Sequence, residues 1–368
     1  MLRLFEPFQK PRHIGRYSQL MDCASLSYSD ADRRVVRLNV HGLAAELRCS
    51  LPGIRQMTAD LFAPLIVDEW PDGFHPVLGE VDAYDADVVA RHLSPQADRV
   101  TTFGDHAELW RDGERCWLLD DAWGLCEINL LKRSWRSWLL PATDLDPVRA
   151  VEHAILWPMS QVLMARGLSL LPAASVVHRG RGALMLSPFS LEPELSALLD
   201  AGHGLIGQRW TACREEDSRP VLLQMPGRVE RSPIPQLRSK ARSVMSVEPM
   251  QTEWIDLAAT SSTNCRYAWC DAVLLVEPGR RAAARITPLS GASATAAVRR
   301  AWPMPDVGHM SRQAQLATRL AQTCGIFQVE LSRDPMALLR MLEQIPADPA
   351  QRARLMPSTH VTNTRIAI

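Results

Sequence analysis

The run LPAASVVHRGRGALMLSPFSLEPELSALLDAGHGLIGQRW, from Leu171 to Trp210, decides how the chain is read. Two short apolar runs, Ala173 to Val177 and Ala183 to Leu186, flank the turn sequence Arg179-Gly180-Arg181-Gly182. A loop follows, Ser187-Pro188-Phe189-Ser190-Leu191-Glu192-Pro193-Glu194. Helical spacing from Glu194 to Ala201 is closed by Gly202, and Leu205-Ile206 reads as a buried strand. Nucleotide-binding enzymes place a Gly-rich phosphate cradle and its lysine within this order of elements. Between Ala183 and Ala201 there is neither a glycine nor a lysine. The core pattern is present and the phosphate chemistry is missing.

Toward the N-terminus, residues 1–145 read as an α+β domain. Val36 to Asn39 and Ala45 to Cys49 are β-like, and Ile54 to Phe62 has helical spacing. Ala107 to Trp110, Cys116 to Leu119 and Cys126 to Asn129 read as a meander, with Arg111-Asp112-Gly113-Glu114 as the first turn. Trp110, Trp117, Trp123, Trp135 and Trp138 crowd this section and read as core and interface anchors rather than ligand platforms. Asp146-Pro147 is a helix start, and Val148, Val151, Ile155, Met159, Val162 and Leu163 hold one face up to Gly167. The domain boundary is placed before it, giving a second domain over 146–348 and a loose tail over 349–368. In that domain Ala272 to Val276 and Ile326 to Leu331 are expected strands, and Ala292 to Val298, Gln313 to Ala321 and Pro335 to Ile345 helices.

Composition narrows the function. A charged fraction of 22% with zero net charge gives no bulk attraction to nucleic acid or an anionic membrane. Lys10, Lys132 and Lys240 are the only lysines, so a mechanism needing one has three candidates. The eight cysteines are scattered, and Cys265 and Cys270 lack the companions of a tetrahedral site, so reduced thiols and no metal are expected. The start MLRLFEPFQKPRH lacks a secretory apolar core, and Met159 to Val177 is broken by Arg166, Gly167 and Pro172, so a cytoplasmic protein is expected. No intact GxSxG, HExxH or CxxC signature supports another enzyme class.

The order of elements resembles the HPr kinase/phosphorylase-like family, in particular the HPr kinase-related proteins of bacterial gene clusters, which share a P-loop fold with PEP carboxykinase. Leu170-Leu171-Pro172-Ala173-Ala174 matches the entry to the core, with proline in place of histidine. Arg179 to Gly182 matches the hairpin turn, and Leu198-Leu199-Asp200-Ala201-Gly202 the helix end. Arg219-Pro220-Val221-Leu222-Leu223 resembles a segment that relatives continue with lysine, here Gln224. Pro288 to Ala292 and Phe327 to Leu331 look like the closing strands and helix. The resemblance implies an N-terminal α+β domain followed by an HPr kinase-like α/β domain. It also implies a peptide or small peptide-chaperone partner, and it leaves room for a homo-oligomer.

The departures carry the functional expectation. A phosphate cradle needs glycines at positive φ, converging N–H groups, a cation and a Mg²⁺ ligand. Pro188 and Pro193 each delete a donor, and Glu192 and Glu194 bring carboxylates to the place of a triphosphate. At ~4 Å each such contact costs about 1 kcal/mol in water and about 4 at an intermediate dielectric. The same carboxylates suit a helix N-terminus in its own right. After Leu205-Ile206, where active relatives carry acidic residues, the chain has Gly207-Gln208-Arg209, none able to act as base or hold Mg²⁺.

The expectation is a pseudokinase that acts by binding, with no catalytic residue and no cofactor. A rival is an active ATP·Mg²⁺-dependent serine or peptide kinase, taking its cation from His203, Arg209 or Lys240 and its base from Glu215 or Asp217. A third reading is a structural subunit held through the tryptophan-rich domain. Glu215-Glu216-Asp217 itself reads as a solvated acidic loop. The stripe Arg238, Lys240 and Arg242 is a candidate contact for an anion or a partner, and His178 and His203 are expected to flank the loop as turn residues.

Overall fold

The computed structural model describes residues 35–70, 75–103, 107–120, 123–140, 150–225, 228–231, 253–256, 267–279, 284–301, 310–332 and 336–345. It is a mixed α/β structure with two large mixed sheets. The chain divides into two compact units, Met1–Arg166 with Pro305–His309, and Gly167–Met304 with Met310–Ile368.

In the first unit β1 (Val35–Val40) and β2 (Leu43–Cys49) form a hairpin, followed by α1 (Pro52–Phe62) and β3 (Val77–Ala83). Then come α2 (Ala86–His92), β4 (Asp98–Phe103), β5 (Ala107–Asp112), β6 (Arg115–Asp120), β7 (Gly124–Asn129) and β8 (Ser134–Leu139). They make one eight-stranded sheet in the order β1-β2-β3-β8-β7-β6-β5-β4, parallel only at β2/β3 and β3/β8. The meander expected over β5 to β7 is present, and Gly113 at φ 58° makes its turn. Trp117, Trp135 and Trp138 are buried, as core anchors are.

The helix after β8 is described from Ala150. After Ala150 and Val151 it passes through a π-helical stretch, Glu152–Leu156, and continues as α3 (Trp157–Met164). Pro158 stands four residues after Ala154 and has no N–H to give its carbonyl. The sheet supplies the donors instead: Ser137 Oγ at 2.8 Å and Trp135 Nε1 at 3.2 Å. These bonds fasten the helix to β8, so the first unit runs through it to Arg166, whereas the sequence reading opened the second domain at residue 146. Asp146-Pro147 lies outside the described residues.

The second unit begins with β9 (Leu168–Leu171), β10 (Ala174–His178), β11 (Arg181–Leu186), α4 (Glu192–Asp200) and β12 (Gly204–Gly207). It continues with β13 (Thr211–Glu216), β14 (Arg219–Leu223), β15 (Arg228–Arg231), β16 (Glu253–Asp256), β17 (Tyr267–Pro278) and β18 (Arg285–Leu289). The last elements are α5 (Gly291–Arg300), α6 (Met310–Thr323), β19 (Gly325–Leu331) and α7 (Ala337–Gln344). Strand order is β12-β10-β11-β17-β14-β13-β9, with β19 on β17 and β18 on β19. The β11/β17 and β17/β19 pairs are parallel.

Strands of a sheet covered on both faces are apolar without alternation, and β17 reads Ala272-Val273-Leu274-Leu275-Val276. Leu274 and Val276 pack with Leu195 and Leu198 of α4 and Leu338 and Met341 of α7. Val273 and Leu275 pack on the other face with Val298 of α5 and Ala317 and Leu320 of α6. Arg179 at φ 51° and Gly180 at φ 76° make the β10–β11 turn, as the Arg-Gly sequence implied. Glu215 and Glu216 close β13, and Asp217-Ser218, both at positive φ, turn into β14. The acidic run thus spans the end of β13 and its hairpin turn, with Glu215 and Asp217 exposed and Glu216 half-buried.

Candidate functional site

The parallel strands β11, β17 and β19 end on one side of the second sheet, where α/β proteins place ligands. The connection from β11 to α4 lies there. It is shorter than the sequence suggested, because α4 begins at Glu192 rather than Glu194, with Pro193 in its first turn. Proline at that position deletes only an N–H that the helix cannot satisfy, so it favours the early start. Only Ser187-Pro188-Phe189-Ser190-Leu191 remains as loop.

Within this loop the polar groups are turned on one another. The Phe189 N–H donates to Ser187 Oγ at 3.2 Å, and Ser187 Oγ–H returns a bond to the Phe189 carbonyl at 2.9 Å. The Glu192 N–H points to Ser190 Oγ at 3.4 Å, and the Leu195 N–H to the Leu191 carbonyl at 2.8 Å. Pro188 and Pro193 contribute no donor. No residue from Ser187 to Glu194 has a positive φ, so the loop has no concave nest of N–H groups. Phe189 and Leu191 turn inward onto the core beneath α4.

Gly207 ends β12 at the same end of the sheet, and Gln208 and Arg209 follow it. Gln208 is buried, and its Nε2 donates to Glu192 Oε1 at 3.3 Å. The residue after the strand is thus a neutral donor to the carboxylate that opens α4. Arg209 is exposed. Beneath them Thr211 Oγ1 bonds the Ala173 carbonyl and Ser175 Oγ, each at 2.8 Å, fully buried.

Glu194 points into a partly buried place. Desolvation pushes its carboxyl above the ordinary value of 4.5, offset in part by a backbone N–H. The folded state therefore holds that proton to a higher pH than the unfolded chain does. Stability falls as pH rises from 4.5 through the raised value, and stays lower above it. Glu194→Gln is expected to match wild type in thermal unfolding below pH 4.5 and to exceed it increasingly toward pH 7. An equal gap at both pH values would show that the carboxylate is not desolvated.

The two histidines meet, but not at the loop. His178 ends β10 and His203 follows Gly202, at the opposite end of the β11–α4 unit. There His178 Nδ1 lies 3.2 Å from His203 Nδ1. Arg238, Lys240 and Arg242 lie outside the described residues.

One feature of the first unit was not visible in the sequence. Glu80 of β3, Arg136 of β8, Glu127 of β7 and Arg115 of β6 share one sheet face and alternate in sign across four neighbouring strands. Glu80 pairs with Arg136, and Glu127 takes Arg115 at 2.7 Å and His92 at 3.2 Å. They line a groove of about 500 Å³ together with Lys132. Only strand register reveals such a ladder, since its members are up to 56 residues apart.

No family model and no curated protein matches the chain. Solved structures with a similar chain include the Hpr(Ser) kinase/phosphatase from Coxiella burnetii, with a TM-score of 0.26 and 12% identity, covering 51% of this chain and 97% of that one.

Proposed function

We propose that the chain is a catalytically inactive HPr kinase-like protein, a pseudokinase, which acts by binding a protein or peptide rather than by transferring phosphate. The observation that carries the reading is the Gln208–Glu192 contact at the end of the parallel strands. In a phosphoryl-transfer site that space holds the anion, its cation and the metal. We read Glu192, the first residue of α4, as standing in for that anion, with the buried Gln208 amide donating to its carboxylate. The loop hydroxyls take up the Phe189 and Glu192 N–H groups in the same way. A strand–loop–helix unit so satisfied keeps the core without offering it to a polyanion.

A module of this kind serves through its surface, and the resemblance to kinases that accompany ribosomally made peptides makes a peptide or a small peptide-chaperone the partner. The test is ADP release and self-phosphorylation by the purified chain with ATP and Mg²⁺. The proposal expects rates equal to the protein-free control, with and without added serine peptide. ADP release that disappears on Arg209→Glu would establish a working site with relocated groups and overturn it.

A further inference from the structure

We propose that His178 and His203 form a two-imidazole site for a divalent transition-metal ion of the zinc class, at the end of the β11–α4 unit remote from the loop. The backbone is fixed at both positions. His178 closes β10, and the next strand pair, Val177 with Gly204, fixes the chain on either side of the two histidines. Gly202 at φ 82° ends α4, with its N–H on the Leu199 carbonyl at 2.9 Å and the His203 N–H on the Leu198 carbonyl at 3.0 Å. The result is two Nδ1 atoms 3.2 Å apart, ring centroids 4.9 Å apart and planes at 34°.

Two nitrogens bound at ~2.0–2.1 Å to one tetrahedral zinc lie roughly 3.3–3.4 Å apart. The observed spacing is close to that value, so coordination needs little more than a turn of each ring about its own axis. Imidazole nitrogen suits zinc, copper and nickel ions, and it binds them in the neutral form. Burial holds both rings below the ordinary histidine value, which keeps them in that form at neutral pH. A neutral pair already has one Nδ1 free. The other ring moves its proton to Nε2 on coordination, and no proton is lost.

Among the described residues no ready-made group of three or more His, Cys, Asp and Glu side chains is placed around an ion. The site is therefore two imidazoles completed by water. Glu343 of α7 is an exposed carboxylate whose charge acts on both rings and favours a bound cation. Arg179, next to His178, opposes the cation and limits the affinity. Cys213 and Cys270, whose thiols burial helps to hold far above the ordinary value, do not compete.

The test is calorimetry of Zn²⁺ into the untagged chain at neutral pH with a non-thiol reductant. One equivalent is expected to bind in the micromolar range, to be lost in His178→Gln and His203→Gln, and to weaken several-fold in Glu343→Gln. Thermal unfolding without zinc checks that the variants fold. A second readout uses wild type alone: zinc is expected to protect His178 and His203 from acylation by diethyl pyrocarbonate, read by peptide mass spectrometry. No binding, an unchanged equivalent in His203→Gln, or no protection of the two rings would overturn the proposal.

Discussion

Gly207→Asp, the substitution that puts an acid at the end of β12, is expected to destabilise the second unit strongly. A Cβ at residue 207 would lie 2.3 Å from the Trp210 carbonyl oxygen and 2.5 Å from Thr211 Oγ1. Neither can move aside. Trp210 O is backbone, and Thr211 Oγ1 is held by the Ala173 carbonyl and Ser175. Overpacking of this kind costs about 3 kcal/mol, and a carboxylate forced beside a carbonyl without a donor adds to it. That is a large part of the 5–15 kcal/mol that a domain typically has. Thermal unfolding of Gly207→Asp and Gly207→Ala should show both far below wild type, the aspartate lower. A wild-type midpoint for the alanine variant would mean that the strand end has room, and that the absence of an acid there is not structural.

Gly79→Ala is expected to have the second large effect, in the first unit. Gly79 lies in β3 opposite Trp135 of β8, and an added Cβ would fall 2.1 Å from the indole ring. Glycine is normally a weak choice within a strand, and here the indole fills the space it leaves. Trp135 is buried and its Nε1 reaches the Ala154 carbonyl, left without its helical donor by Pro158. Displacing the ring therefore loses packing and one of the two bonds that fasten the helix. A cost of about 2–3 kcal/mol is expected. Trp135 fluorescence and the unfolding midpoint should change together. A variant with lowered stability and an unaltered indole environment would point to β3 itself.

The periodic elements were legible in the sequence because their signals are local. β17 and β19 are continuous apolar runs, the β10–β11 turn carries Arg-Gly at the positions that need positive φ, and α4 ends on Gly202. The start of α4 was misplaced by two residues because Glu192-Pro193 reads equally well as loop or as first turn. The fate of the loop was half legible. Loss of glycine and lysine is a composition fact, whereas the closure of Glu192 by Gln208 joins residues 16 apart and depends on β12 returning beside β10. The histidines show the same limit. Both precede or follow a recognisable turn, but only the antiparallel β10–β12 register reveals that their rings meet, and at the far end from the loop.

Equilibrium binding of ATP·Mg²⁺ to the purified chain, measured by calorimetry, tests the central claim most directly. On the proposed reading, with no N–H at Pro188 and Pro193 and the Glu192 carboxylate beside the loop, no heat is expected up to millimolar nucleotide. Micromolar binding by the wild-type chain would contradict the account, since it would require a cation and a set of donors that the loop from Ser187 to Glu194 does not supply.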